Sequence, residues 1–226
     1  MSTPRRCSPP ERRLAMRAGA ALELTTERLR LRQWRNADEL PMMDINRDPE
    51  VARYLNRATD AAASRVFLAE AQAHWDRHRC GIYALERRDQ PRSGVLLGFV
   101  GLAFPGYLPS LAHRLELGWR LRRDAWGQGY ATEAAIAVRD HAVEVLGVRD
   151  LISIIHPENE RSRRVAEKLG MTVEAEVLNP RLERAVGCGC RARVAGWGVA
   201  VGRRAGLPTG GGIKTDSRGS PGVVNG

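Results

Sequence analysis

The chain has 226 residues, 43% of them hydrophobic, with 36 Lys/Arg against 26 Asp/Glu and a formal net charge of +10. That length suits one ordinary domain with its own core, and no apolar run is long enough to span a bilayer. Basic residues near the start have no continuous apolar segment behind them, so a secretory leader is not indicated and the cytoplasm is the expected location.

The positive charge is unevenly placed. Residues 1–20 hold five Arg and one Glu, and residues 181–226 hold eight Lys/Arg and two acids, which leaves residues 21–180 balanced at 23 against 23. A nucleic-acid face belongs in the folded part. Charge confined to the tails offers only weak, salt-sensitive attraction to RNA or ribosomes. The four cysteines, Cys7, Cys80, Cys188 and Cys190, form neither a disulfide framework nor a paired zinc knuckle. His74 and His78 stand at i, i+4 near Cys80. That spacing can hold a metal, but no acidic helper follows, so a surface helix is the plainer reading and no metal is expected.

Residues 1–20, rich in Arg, Pro and Ala, read as a disordered basic tail in which Met16 is an alternative start. Order begins at Leu24, where Leu29 and Leu31 alternate with Arg28, Arg30 and Arg32 as in a half-exposed strand. Asn36 is a plausible N-cap for a short helix, and Asp48-Pro49 opens another turn of helix. A longer helix is expected over 61–78, with Val66, Phe67, Ala71 and Trp75 at helical spacing. Strands are expected over 81–86 and 95–102, joined by the turn residues of 89–94 into an antiparallel hairpin.

The stretch 115–135, LELGWRLRRDAWGQGYATEAA, organises the rest. Leu115, Leu117, Trp119 and Leu121 share one face of a strand, and Glu116, Gly118 and Arg120 share the other. A turn bearing Gly127 and Gly129 then leads into a helix from Thr132. Strand, glycine turn and helix N-terminus present free N–H groups and a positive dipole end to an anion such as a phosphate. No Gly-Lys-Ser/Thr follows, which argues against a Walker loop, and Thr132 stands where a dinucleotide fingerprint wants Gly or Ala. Ala131, Ala134, Ala135, Val138 and Ala142 give that helix a small-residue face suited to packing on a sheet. Leu151 to Ile155 is a continuous apolar strand, Glu160 to Leu169 a helix capped by Asn159, and Met171 to Leu178 a last strand.

The order of elements and six motifs resemble the GNAT acyltransferase superfamily, with the motifs most similar to its RimJ/RimL-like branch. The motifs are LTTERLRLRQW at 24–34, DPEVARYL at 48–55, GFVGL at 98–102, LELGWRL at 115–121, WGQGYATEAA at 126–135 and NERSRRVAEKLGM at 159–171. The resemblance implies an α/β (α+β) GNAT fold: a mixed, mostly antiparallel sheet of six to seven strands, splayed between the fourth and fifth, with helices on both faces. It implies a catalytic domain over 21–180, bacterial in type. It further implies acetyl-CoA as cosubstrate and transfer of acetyl to a primary amine, of which a protein N-terminal α-amine is the acceptor that branch suggests. The pyrophosphate would rest on the backbone of Gly127, Gln128, Gly129, Tyr130, Ala131 and Thr132, with Arg122 or Arg123 adding charge. The pantetheine arm would pair with the strand around Trp119 and Leu121, and Asn159 would hold its amides. Ser162 is the candidate proton donor to the departing thiolate. Glu116 is the candidate base, with Glu174 and Glu176 as rivals. A plain cap at Asn159, a locally satisfied Ser162 and a solvated Arg122 remain the structural alternatives.

The resemblance stops near Glu183-Arg184. Twelve of the 23 glycines fall in residues 181–226, a divergent Gly/Arg-rich tail that resembles out-of-frame translation. A frameshifted, largely disordered C-terminus is therefore expected, with Val194 to Val201 as a weak substitute for the family's final strand. Three alternatives to an enzyme acting on a protein N-terminus stay open at this point. They are a small-molecule amine as acceptor, a degenerate domain that binds CoA without turnover, and a ribosome- or RNA-associated protein working through its tails.

Overall fold

Alternation of leucine and arginine after Thr26 buries Leu29 and Leu31 completely. They lie on β2 (Leu29–Arg32), which pairs with a three-residue edge strand β1 (Glu23–Thr25). The computed structural model describes residues 23–54, 61–89, 95–178 and 191–196. Within them Arg35, not Asn36, precedes the first helical turn, because the Arg35 N–H is held by the Asp38 carboxylate at 2.8 Å. That turn continues into α1 (Glu39–Arg47), followed by α2 (Pro49–Ala52), whose first N–H groups are capped by Asp48. Then come α3 (Ala61–His78), β3 (Ile82–Arg87), β4 (Gly98–Ala103) and β5 (Leu115–Leu121). The remainder is α4 (Tyr130–Glu144), β6 (Leu151–Ile155), α5 (Glu160–Lys168), β7 (Thr172–Leu178) and β8 (Arg191–Gly196).

The eight strands form one sheet in the order β1-β2-β3-β4-β5-β6-β8-β7. Every neighbouring pair is antiparallel except β5 and β6, which are parallel and joined through α4, as a parallel pair requires a long crossover. The count exceeds the expected six to seven because 23–25 and 191–196 each supply a strand. β8 lies between β6 and β7 and pairs with both, so the C-terminal stretch fills a central place in the sheet. The paired residues are Arg191–Gly196, earlier than the weak apolar stretch suggested. Residues 1–20 and 203–226, read as disordered, lie outside the described residues.

Helices cover both faces. Ala134, Ala135, Val138 and Ala142 of α4 are fully buried in one core with Leu85, Val100, Leu102 and Leu117; small side chains let the helix sit close to the sheet. A second core joins Trp34, Met42 and Ile45 to Phe67 and Phe99, with the Trp34 and Phe67 rings edge-on at 5.4 Å. A buried ion cluster ties the first strands together. Arg32 reaches Asp38 at 2.7 Å and Glu86, and all three side chains are buried. Removing one partner from such a cluster costs about 3–5 kcal/mol, because a charge is left buried without compensation. Among the described residues no helix is long and apolar enough to cross a membrane.

Candidate active site

The site begins where a ladder ends. β5 and β6 pair only at Leu115↔Leu151 and Glu116↔Ile152. One residue further on, the Ser153 hydroxyl donates to the Leu117 carbonyl at 2.6 Å, replacing a strand-to-strand bond. Beyond it the strands diverge, and Gly118 to Leu121 have no partner in β6. Arg114, just before β5, locks the closed end by donating to Asp150 at 2.6 Å and Glu174 at 2.9 Å.

Two clefts open on this wedge. The first, of about 540 Å³, lies over the Glu116–Gly118–Arg120 face and is walled by α3. The second, of about 650 Å³, lies between the turn at 125–132 and α5. They share Tyr54, Trp119, Arg120, Asn159 and Ser162, so the middle of β5 borders both.

The second cleft contains the glycine turn. Trp126 Nε1 donates to the Leu121 carbonyl at 2.8 Å and holds the turn against the strand end. Gly127 and Gly129 have φ of +75° and +81°, left-handed values that favour glycine. A Cβ on Gly127 would meet nothing within 4 Å, so the backbone is open to a ligand. The first bond within α4 runs from the Glu133 N–H to the Gly129 carbonyl. The N–H groups of Tyr130, Ala131 and Thr132 therefore lie ahead of the helix ladder at its positive end. This cradle fits a phosphate, and the open edge of β5 fits an amide-bearing arm.

Comparison with known proteins agrees with this geometry. Residues 28–172 match the acetyltransferase (GNAT) domain family. The uncharacterized protein YkkB of Bacillus subtilis (strain 168) is 30% identical over 153 residues, covering 67% of this chain and 86% of that one. The chain belongs to the GNAT acetyltransferase family. An acetyltransferase from Agrobacterium tumefaciens superposes with a TM-score of 0.64 at 28% identity, covering 77% of this chain and 93% of that one. The YncA protein of Salmonella typhimurium, solved with its cofactor acetyl-CoA, shares the fold at a TM-score of 0.59 and 16% identity, covering 76% and 95% of the two chains.

In this GNAT frame the expected residues fall as follows. Leu121, Gly127, Gly129, Tyr130, Ala131 and Thr132 line the second cleft, and Trp119 and Asn159 line both. Gln128 and Arg122 line neither. Gln128 Nε2 turns back to the Asp124 carbonyl at 2.8 Å, and Arg122 ion-pairs with Asp124. Asn159 caps α5, its Oδ1 accepting from the Ser162 N–H at 3.1 Å. Ser162 borders both clefts. Glu116 lines the first cleft, where the Tyr107 hydroxyl donates to it at 3.3 Å. Its rivals Glu174 and Glu176 line neither cleft, and Glu174 is paired with Arg114.

His74 and Cys80 have structural duties. His74 Nδ1 donates to the Cys80 carbonyl at 2.8 Å and Nε2 accepts from the Phe104 N–H, so both ring nitrogens are used by backbone. Burial lowers its pKa to about 4. Burial also pushes the Cys80 thiol up to about 12, away from the thiolate a metal would need. His74 is half-buried at the first cleft, not on an open surface helix.

Other residues of the site carry no strong sequence signal. Arg28, just before β2, bonds to Glu133 and to the Gln128 carbonyl at the start of α4, fixing the cradle. Tyr54, just after α2, stacks on His156 with ring centroids 5.0 Å apart and donates to the Glu158 carbonyl, tying the end of α2 to the segment that follows β6. The Arg161 guanidinium lies over the Trp126 ring at 4.6 Å, and Arg164 and Lys168 continue a basic wall along α5. The i, i+3, i+7 spacing of those three was readable, and would have marked a basic helix face near the turn.

Proposed function

We propose that this chain transfers acetyl from acetyl-CoA to a primary amine, with a protein N-terminal α-amine as acceptor, by direct attack while both are bound. The carrying observation is the meeting of two chemically different clefts at Trp119 and Arg120 of β5. One offers helix N–H groups and a basic wall, and the other offers a carboxylate. Acetyl-CoA supplies a thioester, whose C–S bond breaks as a C–N bond forms to the amine. The N–H groups of Tyr130, Ala131 and Thr132 hold its phosphates, with Arg161 and Lys168 adding charge. The β5 backbone at Trp119 to Leu121 holds the arm and offers an N–H to polarise the thioester carbonyl.

Glu116 takes the proton lost by the amine nitrogen, directly or through water, and Tyr107 orients its carboxylate. An α-amine has a pKa near 8, so this base need not be strong. Ser162 gives a proton to the departing sulfur from the border of the two clefts. Most of the acceleration comes from holding amine and thioester together. The RimJ/RimL-like motifs support the N-terminal acceptor. A small amine with an apolar body is the second reading, favoured by the aromatic wall of Phe67, Phe99, Phe104 and Tyr107 in the first cleft.

The test offers acetyl-CoA with free-N-terminus peptides and, separately, small aryl and alkyl amines, and follows acetylated product by mass spectrometry. Product on peptides that Glu116→Gln reduces by about 10²-fold supports the reading. Product only on small amines selects the second. Acetyl-CoA binding without any product would mark a domain that binds CoA and does not turn over.

A further inference from the structure

Ser153 is the one polar residue in the apolar strand Leu151–Ile155, and it is 1% exposed. A hydroxyl buried among apolar side chains costs free energy unless it is bonded. This one donates to Leu117 at 2.6 Å, and its oxygen lies 3.6 Å from the Met171 sulfur. It stands at the first position past the last β5–β6 ladder pair. The hydroxyl therefore acts as a spacer that ends the ladder and satisfies the carbonyl left over.

The consequence falls on the thioester. With the Leu117 carbonyl taken by Ser153 and the Leu121 carbonyl by Trp126, the edge of β5 left unpaired by β6 runs from Gly118 to Leu121, about 10 Å at ~3.3 Å per strand residue. Its far end meets the phosphate cradle. An arm anchored in the cradle and laid back along this edge carries its acyl end toward the vertex. There the Ser153–Leu117 bond closes the wedge, with the Met171 thioether behind it. Ser153 and Ile154 also line the first cleft, so the amine's side meets the same wall.

We propose that Ser153 is a positioning residue that sets the length of acyl group this chain accepts, by fixing where the wedge between β5 and β6 closes. The inference rests on the acetyl-CoA reading above. Without the hydroxyl the Leu117 carbonyl loses its partner and the vertex can part. The wall then retreats, and a longer acyl chain is tolerated.

The test is calorimetric binding of acetyl-, propionyl- and butyryl-CoA to the full chain, to Ser153→Ala and to Ser153→Thr, with thermal melts alongside. The wild type should bind butyryl-CoA at least about tenfold more weakly than acetyl-CoA, the scale set by one or two methylenes against a closed wall. Ser153→Ala should shrink that ratio to about threefold or less, chiefly by tightening butyryl-CoA. Ser153→Thr keeps the hydroxyl and should keep the wild-type ratio. A ratio taken within one variant is insensitive to partial unfolding, which weakens all three thioesters alike. Equal binding of the three by the wild type overturns the proposal, whether or not Ser153→Ala folds. So does an unchanged ratio in a folded Ser153→Ala. Failure of the wild type to bind any of the three would instead remove the acetyl-CoA reading, and this proposal with it.

Discussion

Arg28 and Glu133, 105 residues apart, hold the cradle in place. The Arg28 Nε donates to Glu133 at 2.7 Å, its Nη2 pairs with the same carboxylate at 2.6 Å, and its backbone N–H donates to the other oxygen at 3.0 Å. Its Nη1 donates to the Gln128 carbonyl at 3.0 Å, inside the turn itself. Thr26 adds a hydroxyl donor to Glu133. The N-terminal strands are thereby tied to the first turn of α4.

Arg28→Ala should therefore weaken acetyl-CoA binding about tenfold, roughly the loss of one charge-assisted hydrogen bond's worth of order. The Arg28 side chain is 45% exposed, so solvent screening keeps the effect on stability small. The melting temperature should fall by about 2–4 °C per kcal/mol lost. Calorimetry and thermal melts check both, and an unchanged Kd would show that the turn holds its shape without the clamp.

Glu133→Gln probes the same clamp through pH. Burial raises the carboxyl's pKa, but the Thr26 hydroxyl and the Arg28 donors outweigh it, and the net shift is downward. A lowered pKa contributes stability above the unfolded value near 4.3, and loses it as pH falls through the folded value. The wild type should thus exceed Glu133→Gln in melting temperature at pH 6, and the gap should narrow toward pH 3. A gap independent of pH would contradict the charge-based account.

His74 gives a second acid-sensitive signal at higher pH. Burial, with a smaller contribution from the charges of His78 and Arg77, lowers its pKa from 6.5 to about 4 against the opposing Cys80 carbonyl. The unfolded chain takes up this proton first, so the stabilisation is complete above about 6.5 and drains away down to about 4. The loss is at most about 3.5 kcal/mol, since one pKa unit is about 1.4 kcal/mol. Melting temperatures across pH 4–7.5 should fall on acidification in the wild type and less steeply in His74→Gln. Equal slopes would mean that His74 does not titrate as described.

Much of this was legible in the sequence, for physical reasons. The turn at 127–132 announces itself because only glycine adopts those φ values readily, and α4 because its alanines recur at helical spacing. Asn159 reads as a cap because capping is local. What was not legible depends on long-range register. Arg28 reads as the exposed side of a strand until α4 is laid beside it. Ser153 reads as one polar residue in an apolar run, and its role appears only where two strands part. Glu174 and Glu116 look alike as strand carboxylates; that Glu116 lines the first cleft while Glu174 sits beside Arg114 at the closed end follows only once three elements are folded together. β8 was obscured because composition past residue 181 signals loop and tail, while its pairing with β6 and β7 is a property of the sheet.

The place of β8 predicts the effect of proline. Val194 pairs with Ile154 on one side and Ala175 on the other. Val194→Pro removes an N–H from a central strand, where proline is not tolerated. It should cost about 3 kcal/mol or more, lowering the denaturant midpoint and promoting association through the freed edges of β6 and β7. A midpoint like the wild type's would show that the sheet does not depend on this strand.

The central claim is that the turn before α4 holds the phosphates of acetyl-CoA. Thr132→Glu tests it with little risk to the fold, since an acid in the first turn of a helix is favoured by the dipole. Calorimetry of acetyl-CoA should show binding to the wild type and a loss of at least about 30-fold in Thr132→Glu, the ~2 kcal/mol expected of two like charges roughly 8 Å apart near a protein surface. Equal affinity in the two proteins would contradict the claim and place the phosphates elsewhere.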